Sequence, residues 1–526
     1  MAVSTINTEN GNKNEPADFE RAISETGFGK FNIILLCIAL PSCVATVYET
    51  STMSYTLPNA ECDLKLTLLD KGILNAITYA GMISSAIFWG YLADTKGRRK
   101  ILMFGYLLDG ACVILGSLSQ NVYTLMTFKY LGGFLMCGPF AVLMSYVTEF
   151  HGVQHRARVM MVIGTFFSVA TSLLPVIAWG VLPRPWEFQI TSFFVVHSWQ
   201  IFLAICAIPS LISGTAIIFM PESPKFLMSQ GRNSEALEVF RKIYSVNKHQ
   251  PKEAYPITTL IMEAPQKNIE ATNPSVVNGE ISKEQISEPQ SMLTSLRAGL
   301  KQLKPMFCKP YLRHSLHVYT IQFCILLGLN TMRLWLPQLF ASIAEFETNQ
   351  SLATEKGASN LCAMIEYSVN RSHMNVNHPT ELCQVNVSDT MYINTIIVGL
   401  SGLCGYFVAG FLINAIGNKT ITVIGLTISG IGGLTMYWAS SSLMTLIVSS
   451  IYVTIGSICS TALLGIIVNL FPTTLRTMIV SLAMMFGRLG ALIGNVLFPY
   501  FMSMGCLPPF LMVGCVMLST ELRCLI

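Results

Sequence analysis

Twelve apolar stretches recur along this chain of 526 residues, each near the twenty residues that carry a helix across a hydrocarbon core. They lie near 31–49, 72–92, 101–118, 122–147, 158–182, 199–220, 314–340, 391–413, 420–438, 443–470, 477–500 and 507–522. The fourth and tenth are long enough to require tilt. Composition closes off the alternatives. Only 12% of the residues are charged, where a soluble domain carries about 25% and needs that charge to cover its surface. The balance of 33 basic to 29 acidic residues, net +4, lacks the concentrated basic face of a nucleic-acid binder. The 52% apolar content excludes disorder for most of the chain. The fold class is therefore an all-α membrane protein of twelve transmembrane helices in two six-helix repeats.

Two insertions set the organisation. The chain divides into an N-terminal segment 1–30, a six-helix bundle 31–220, a polar loop 221–310 and a second bundle 311–526, which contains its own loop 341–390. The first 28 residues lack the basic start and apolar centre of a cleaved signal, so the first span is expected to act as an uncleaved anchor. Short-loop basic residues orient the bundle. Lys96, Arg98, Arg99 and Lys100 sit between spans 2 and 3, Arg156 and Arg158 between spans 4 and 5, and Lys419 and Arg476 flank the matching loops of the second half. Both termini and the 221–310 loop are thus expected in the cytoplasm, and the 341–390 loop outside. The outer loop holds three glycosylation triplets, at Asn349, Asn370 and Asn386. A fourth match, Asn418-Lys-Thr420, falls on the opposite side. Cys362 and Cys383 share the outer loop, where a disulfide can form; Cys62 and Cys506 also lie outside, which leaves the pairing open. Most other cysteines sit in apolar runs, where they act as small hydrophobes, and no Cys/His spacing suits a metal. In the inner loop, Ala236, Leu237, Val239, Phe240 and Ile243 recur at helical spacing between Ser234 and Tyr244, and 246–290 reads as a flexible linker. The chain ends at Ile526, directly after the twelfth span, so a shortened C-terminus stays open.

The halves share a spaced signature. Gly90-x3-Asp94-x2-Gly97-Arg98-Arg99 follows span 2, and Gly410-x3-Asn414-x2-Gly417-Asn418-Lys419 follows span 8. Glu149 and Arg156 end span 4 as Asn469 and Arg476 end span 10. Each pair is 320 apart (414−94, 417−97, 469−149, 476−156). A constant offset argues for duplication of a six-span unit, the parallel repeat of secondary transporters. Glycines permit close helix approach, and a carboxylate with arginines at helix ends can form a charge network made in one conformation and broken in another. The second copy has lost charges at Asn414, Asn418 and Asn469.

The first copy of this signature resembles the loop motif of the major facilitator superfamily. Pro221-Glu-Ser-Pro-Lys looks like the sugar-porter motif after span 6. Leu57-Pro-Asn-Ala-Glu-Cys-Asp63, His197-Ser-Trp199 and Trp335-Leu-Pro337 are similar to the synaptic vesicle glycoprotein 2-like branch. The resemblance runs from about residue 29 to 500 and implies that spans 1, 4, 7 and 10 line a central path. On that layout Glu49 and Lys129 can face each other across its outer half, as a proton-coupling pair. Lys129 stands where sugar-porter relatives have arginine, and Thr46 where the vesicle-protein family has aspartate, one turn before Glu49.

Ionisable residues within spans are functional candidates. Glu49, near the outer end of span 1, is read as a coupling carboxylate or as an exposed residue at the membrane edge. Asp109 and Lys129 lie at similar depth and can pair. Arg488 corresponds to a basic position of the resembled family and can attract an anionic group or pair within the bundle; Arg333 can snorkel to the outer edge. Among neutral side chains, Trp335 and Tyr48 can stack on a solute, and Gln322, Asn330 and Tyr452 can hydrogen-bond one. The function expected is a secondary transporter or facilitator of a small organic solute, with protons as candidate coupling ions. The alternative is a non-transporting vesicle or membrane glycoprotein that acts as a scaffold. No phosphate-binding loop, Gly-x-Ser-x-Gly or His-Glu-x-x-His occurs, so neither an enzyme nor a cofactor is expected. The membrane of residence is the plasma membrane or an intracellular vesicle.

Overall fold

The computed structural model describes residues 16–191, 194–261, 308, 311–352, 364, 388–471 and 473–525. A short helix α1 (Phe19–Glu25) precedes the first half, which comprises α2 (Lys30–Ala60), α3 (Leu68–Lys96), α4 (Arg98–Ser117), α5 (Val122–Glu149), α6 (Val153–Val181), and the pair α7 (Ser198–Cys206) and α8 (Ile208–Ile217). Two helices, α9 (Pro224–Ser229) and α10 (Asn233–Lys248), lie between the halves. The second half comprises α11 (Leu312–Leu352), α12 (Asp389–Ile416), α13 (Asn418–Thr435), α14 (Ser442–Leu470), α15 (Thr473–Ser503) and α16 (Leu507–Leu525). Among the described residues eleven helical segments have the length and apolarity to cross a membrane, the α7–α8 pair counted as one, and Leu507–Glu521 adds a shorter apolar one. The chain is a multi-pass membrane protein. The N-terminus and α9–α10 share one side, called here the terminal face; the other is the far face.

Local chemistry sets the helix ends. Thr67 and Asp70 cap α3 reciprocally, and the Asn121 side chain accepts from Thr124 N at the start of α5. The first span runs further than the sequence suggested, to Ala60 rather than residue 49. The polar run after Glu49 stays helical because its hydroxyls donate back to carbonyls one turn earlier, Thr50 to Thr46 (3.2 Å), Ser54 to Ser51 (2.7 Å) and Thr56 to Thr52 (3.0 Å). Span 6 breaks at Ala207, where Pro209 removes a backbone donor. A feature absent from the sequence reading is an antiparallel hairpin between α6 and α7, β1 (Glu187–Thr191) on β2 (Phe194–His197), with Glu187 opposite His197 and Phe188 opposite Val196.

The expected linker is ordered at its start. Ala17 N donates to Thr259 O (3.0 Å), Ile261 N donates to Ala17 O (2.9 Å), and the Tyr255 hydroxyl donates to Ala22 O (2.6 Å). Burial raises the Tyr255 phenol above its ordinary pKa. The amphipathic stretch is α10, and its Ala236, Phe240 and Ile243 are buried against α1 and this return segment.

The apolar core has a telling division. One cluster joins both halves, mainly toward the far face, and includes Tyr48, Leu174 and Phe202 with Trp335, Tyr392 and Phe498. Toward the terminal face the core separates into a cluster formed almost wholly by the first half, around Tyr106, Tyr146 and Phe150, and a smaller one in the second, around Tyr319, Phe471 and Ile479. Two contacts between the halves lie on the far-face side. Trp179 Nε1 donates to Asp389 Oδ1 (2.9 Å) and Asn59 Nδ2 to the Tyr392 hydroxyl (3.4 Å), both near far-face helix ends. A methyl at Gly72 would meet Pro499 Cγ at 2.5 Å, so α3 and α15 touch there as well.

Candidate functional site

The first part of the site is a buried ion pair in the first half. Glu49 on α2 and Lys129 on α5 are 3% and 5% exposed, and Lys129 Nζ lies 2.9 Å from Glu49 Oε1. Lys129 also donates to the main-chain oxygen of Glu49 (3.1 Å) and contacts the Thr52 hydroxyl at 3.5 Å. Gly132 makes the approach possible, since a Cβ there would stand 2.5 Å from Glu49 Oε1. Glu49 is therefore not a residue of the membrane edge; α2 continues eleven residues beyond it. The expected Asp109–Lys129 pair does not form, because Lys129 is satisfied by α2. Asp109, 1% exposed, instead accepts from Ser210 Oγ at 2.7 Å through Oδ2, and its Oδ1 has no partner among the described residues. The break in span 6 places Ser210, whose hydroxyl also lies 3.0 Å from Tyr106 O.

The second part lies where the halves meet. Arg488, midway along α15, reaches across to α5, with Nη1 3.3 Å from Cys137 Sγ and its guanidinium over the ring of Phe140, 5.3 Å from the centroid. Arg333 does not snorkel outward. Its Nη2 donates to Asn330 Oδ1 (3.0 Å), which the Tyr79 hydroxyl of α3 also approaches (3.4 Å). Trp335 packs on Phe498 (ring centroids 5.2 Å apart), and its indole N–H has no partner among the described residues. Gln322 Nε2 contacts Ser460 Oγ at 3.3 Å, while its Oε1 is free of partners among those residues. The Tyr452 and Tyr48 hydroxyls are likewise buried and unpartnered.

The third part is a charge network on the terminal face. Gly97 joins α3 to α4 at φ +94°, a conformation that favours glycine. The turn leaves the first amides of α4 pointing outward, and the Glu222 carboxylate caps them, accepting from Arg98 N (2.8 Å) and Arg99 N (3.0 Å). Arg98 Nε lies 3.7 Å from Glu149 Oε2, and Ser223 Oγ donates to the same oxygen. Arg156 joins Glu20 of α1 at 2.9 Å. Glu222 and Glu20 were not singled out from the sequence. The first sits in the quoted Pro-Glu-Ser-Pro run, and only the fold brings it to Gly97; the second lies in a segment with the composition of a tail. Nearby, His151 Nδ1 is 2.7 Å from Val147 O, and the ring lies beside Phe28. Burial lowers its pKa below the ordinary histidine value, with His155 and Arg156 adding to the effect against that hydrogen bond.

Gly90, Gly97, Arg98, Arg99, Glu149 and Arg156 thus lie along one face, and Asp63 of the first outer motif accepts from Trp199 Nε1 (2.7 Å), close to His197. The side chains of Asp94, Arg476 and Asn349 lie outside the described residues, as do Asn370, Asn386, Cys362 and Cys383. Cys62 and Cys506 are both disulfide-bonded.

The sequence profile described as Major Facilitator Superfamily matches residues 39–366. Synaptic vesicle glycoprotein 2B of Rattus norvegicus is 26% identical over 329 residues, which are 61% of this chain and 47% of that protein. Synaptic vesicle glycoprotein 2A of Homo sapiens is 30% identical over 244 residues, 46% and 33% of the two chains. The chain spans about half the length, or less, of these curated relatives. Among solved structures, the partially occluded inward-open xylose transporter XylE from E. coli aligns with a TM-score of 0.62 and 16% identity, covering 94% of this chain and 98% of that one. Its inward-open form gives 0.60 at 15% identity.

Proposed function

We propose that this chain, which belongs to the Major Facilitator Superfamily, moves a small organic solute across a membrane by alternating access between its halves. The observation that carries this reading is the divided core, continuous across both halves toward the far face and separate toward the terminal face. Such a seam can open on one side while its other end stays closed. With both termini in the cytoplasm, as the basic loops suggest, this arrangement is inward-facing. The far face then lies outside or in a lumen, and Asn349, Asn370 and Asn386 become glycan acceptors. The network of Arg98, Arg99, Glu149 and Glu222 acts as a latch on the terminal face.

The buried Glu49–Lys129 pair supplies a means of coupling. A carboxylate beside an ammonium changes its proton affinity when they separate, so opening of the outer half can load or release a proton. Purified protein in proteoliposomes, given a panel of solutes with and without an inward proton gradient, is expected to accumulate its substrate, and Glu49→Gln is expected to abolish the gradient's effect. Uptake that Glu49→Gln leaves equally sensitive to the gradient removes the coupling role. Complete lack of uptake favours a scaffold glycoprotein instead. Residence in a vesicle membrane, suggested by the relatives' names, is testable by fractionation.

A further inference from the structure

Buried charge in a membrane bundle is expensive and needs a counter-charge. In the first half Glu49 and Lys129 balance each other, and Asp109 leans on Ser210. The second half contributes two arginines to the interior, and among the described residues no carboxylate lies within 4 Å of either. They do not face lipid. Arg488 touches Cys137 and Phe140 of the opposite half, and Arg333 meets Asn330, beside Tyr79 of the opposite half. The helices that carry them, α11 and α15, pack directly, since a Cβ at Gly487 would stand 2.3 Å from Leu326 Cδ1 and one at Gly494 would stand 2.1 Å from Thr331 Oγ1. Both arginines are half-buried, and Arg333 Nε is a buried donor with no partner among the described residues.

We infer that Arg333 and Arg488 form a binding site for an organic anion bearing a carboxylate, held at the seam between the halves. The inference rests on the transport reading and names its substrate class. A guanidinium presents two parallel N–H donors that match the two oxygens of a carboxylate. Two such groups on different helices favour a compact anion that bridges them. Phe140 and Tyr79 supply aromatic surface for the organic part, and the Asn330 amide and Tyr79 hydroxyl supply orienting contacts. A neutral sugar or a cation would leave both arginines uncompensated, and the cation would be repelled.

Thermal unfolding of the full chain in nanodiscs tests binding apart from transport. At matched ionic strength, benzoate and succinate are compared with inorganic sulfate, glucose and tetraethylammonium. At least one carboxylate is expected to raise the unfolding temperature, with an apparent affinity lowered at least tenfold by Arg333→Gln and by Arg488→Gln, and partly kept by Arg488→Lys. Stabilisation by glucose or tetraethylammonium alone, by sulfate alone, or by no compound overturns the proposal, as does carboxylate binding that both Gln variants leave intact. Carboxylate-dependent stabilisation without uptake in proteoliposomes would sink the transport reading and leave the site. Uptake of glucose unaffected by either Gln variant would sink the anion site and leave transport.

Discussion

The two halves keep one backbone plan at the terminal face and differ in its chemistry. Gly97 and Gly417, 320 residues apart, both adopt a positive φ, +94° and +81°, and both open a helix at the next residue. At Gly97 the Glu222 carboxylate occupies the concave side of the turn and binds two amides. At Gly417 nothing among the described residues lies within 4 Å of where a Cβ would stand. The same divergence runs into the membrane, where the first half pairs its acid with its base and the second carries two arginines that have no carboxylate partner among the described residues. The steric requirement for glycine is common to both turns, while the charges around them differ: the first half satisfies its buried acid and base internally, and the second places two arginines without a carboxylate partner among the described residues.

The largest expected effect breaks this contrast in the membrane. Lys129→Met alone strands the Glu49 carboxylate and should lower stability by about 3–5 kcal/mol, the usual cost of removing one partner of a buried pair. The double variant Glu49→Gln, Lys129→Met should recover most of that loss. Arg488→Gln, which strands no carboxylate among the described residues, should be neutral or raise the unfolding temperature of the ligand-free protein. A loss from Arg488→Gln as large as that from Lys129→Met would show that the second half is charge-balanced after all.

A smaller effect sharpens the contrast at the latch. Glu222→Gln weakens two hydrogen bonds to a charged acceptor and should cost about 1–2 kcal/mol, whereas Asn418→Ala, at the matched turn, should cost about 0.5 kcal/mol or less. Gly417→Ala should cost about 1–2 kcal/mol for its left-handed backbone alone. Gly97→Ala should cost more, because the new methyl also meets Glu222 and Phe226. Equal costs at the two glycines, measured by thermal unfolding, would mean that the carboxylate does not enforce the turn.

Span number, repeat offset and loop charge were legible in the sequence because each follows from hydropathy or spacing along one chain. The resemblance placed Glu49 against Lys129, and the fold agrees. What could not be read was which partners long-range packing selects. Asp109 and Lys129 share a depth, so sequence suggested a pair, yet α2 passes nearer to Lys129, and the break at Pro209 offers Asp109 a hydroxyl. Hydropathy ends the first span at residue 49, because a run of threonines and serines has the composition of a loop. Their back-bonding to carbonyls keeps it helical, a matter of geometry that hydropathy does not register. The hairpin 187–197 was missed for the opposite reason: its strands are too short to contrast with the apolar helices around them.

The smallest effect concerns pH and separates the first half's terminal face from its counterpart. His151 is buried with its pKa below the ordinary histidine value near 6.5. Its folded form therefore favours the neutral ring, so its contribution to stability is complete above about pH 6.5 and is lost as the pH falls through the lowered folded value. Protonation would put a second cation beside Arg156, whose guanidinium holds Glu20 while its Nε donates to His151 O at 3.0 Å. Acidification should thus loosen α1 from the bundle before it affects α13 or α14. Hydrogen exchange at pH 7.5 and pH 5.5, corrected for intrinsic rates, should show residues 19–32 deprotected at the lower pH, with His151→Gln abolishing the change. Equal deprotection of residues 418–435 would place the pH response outside this histidine.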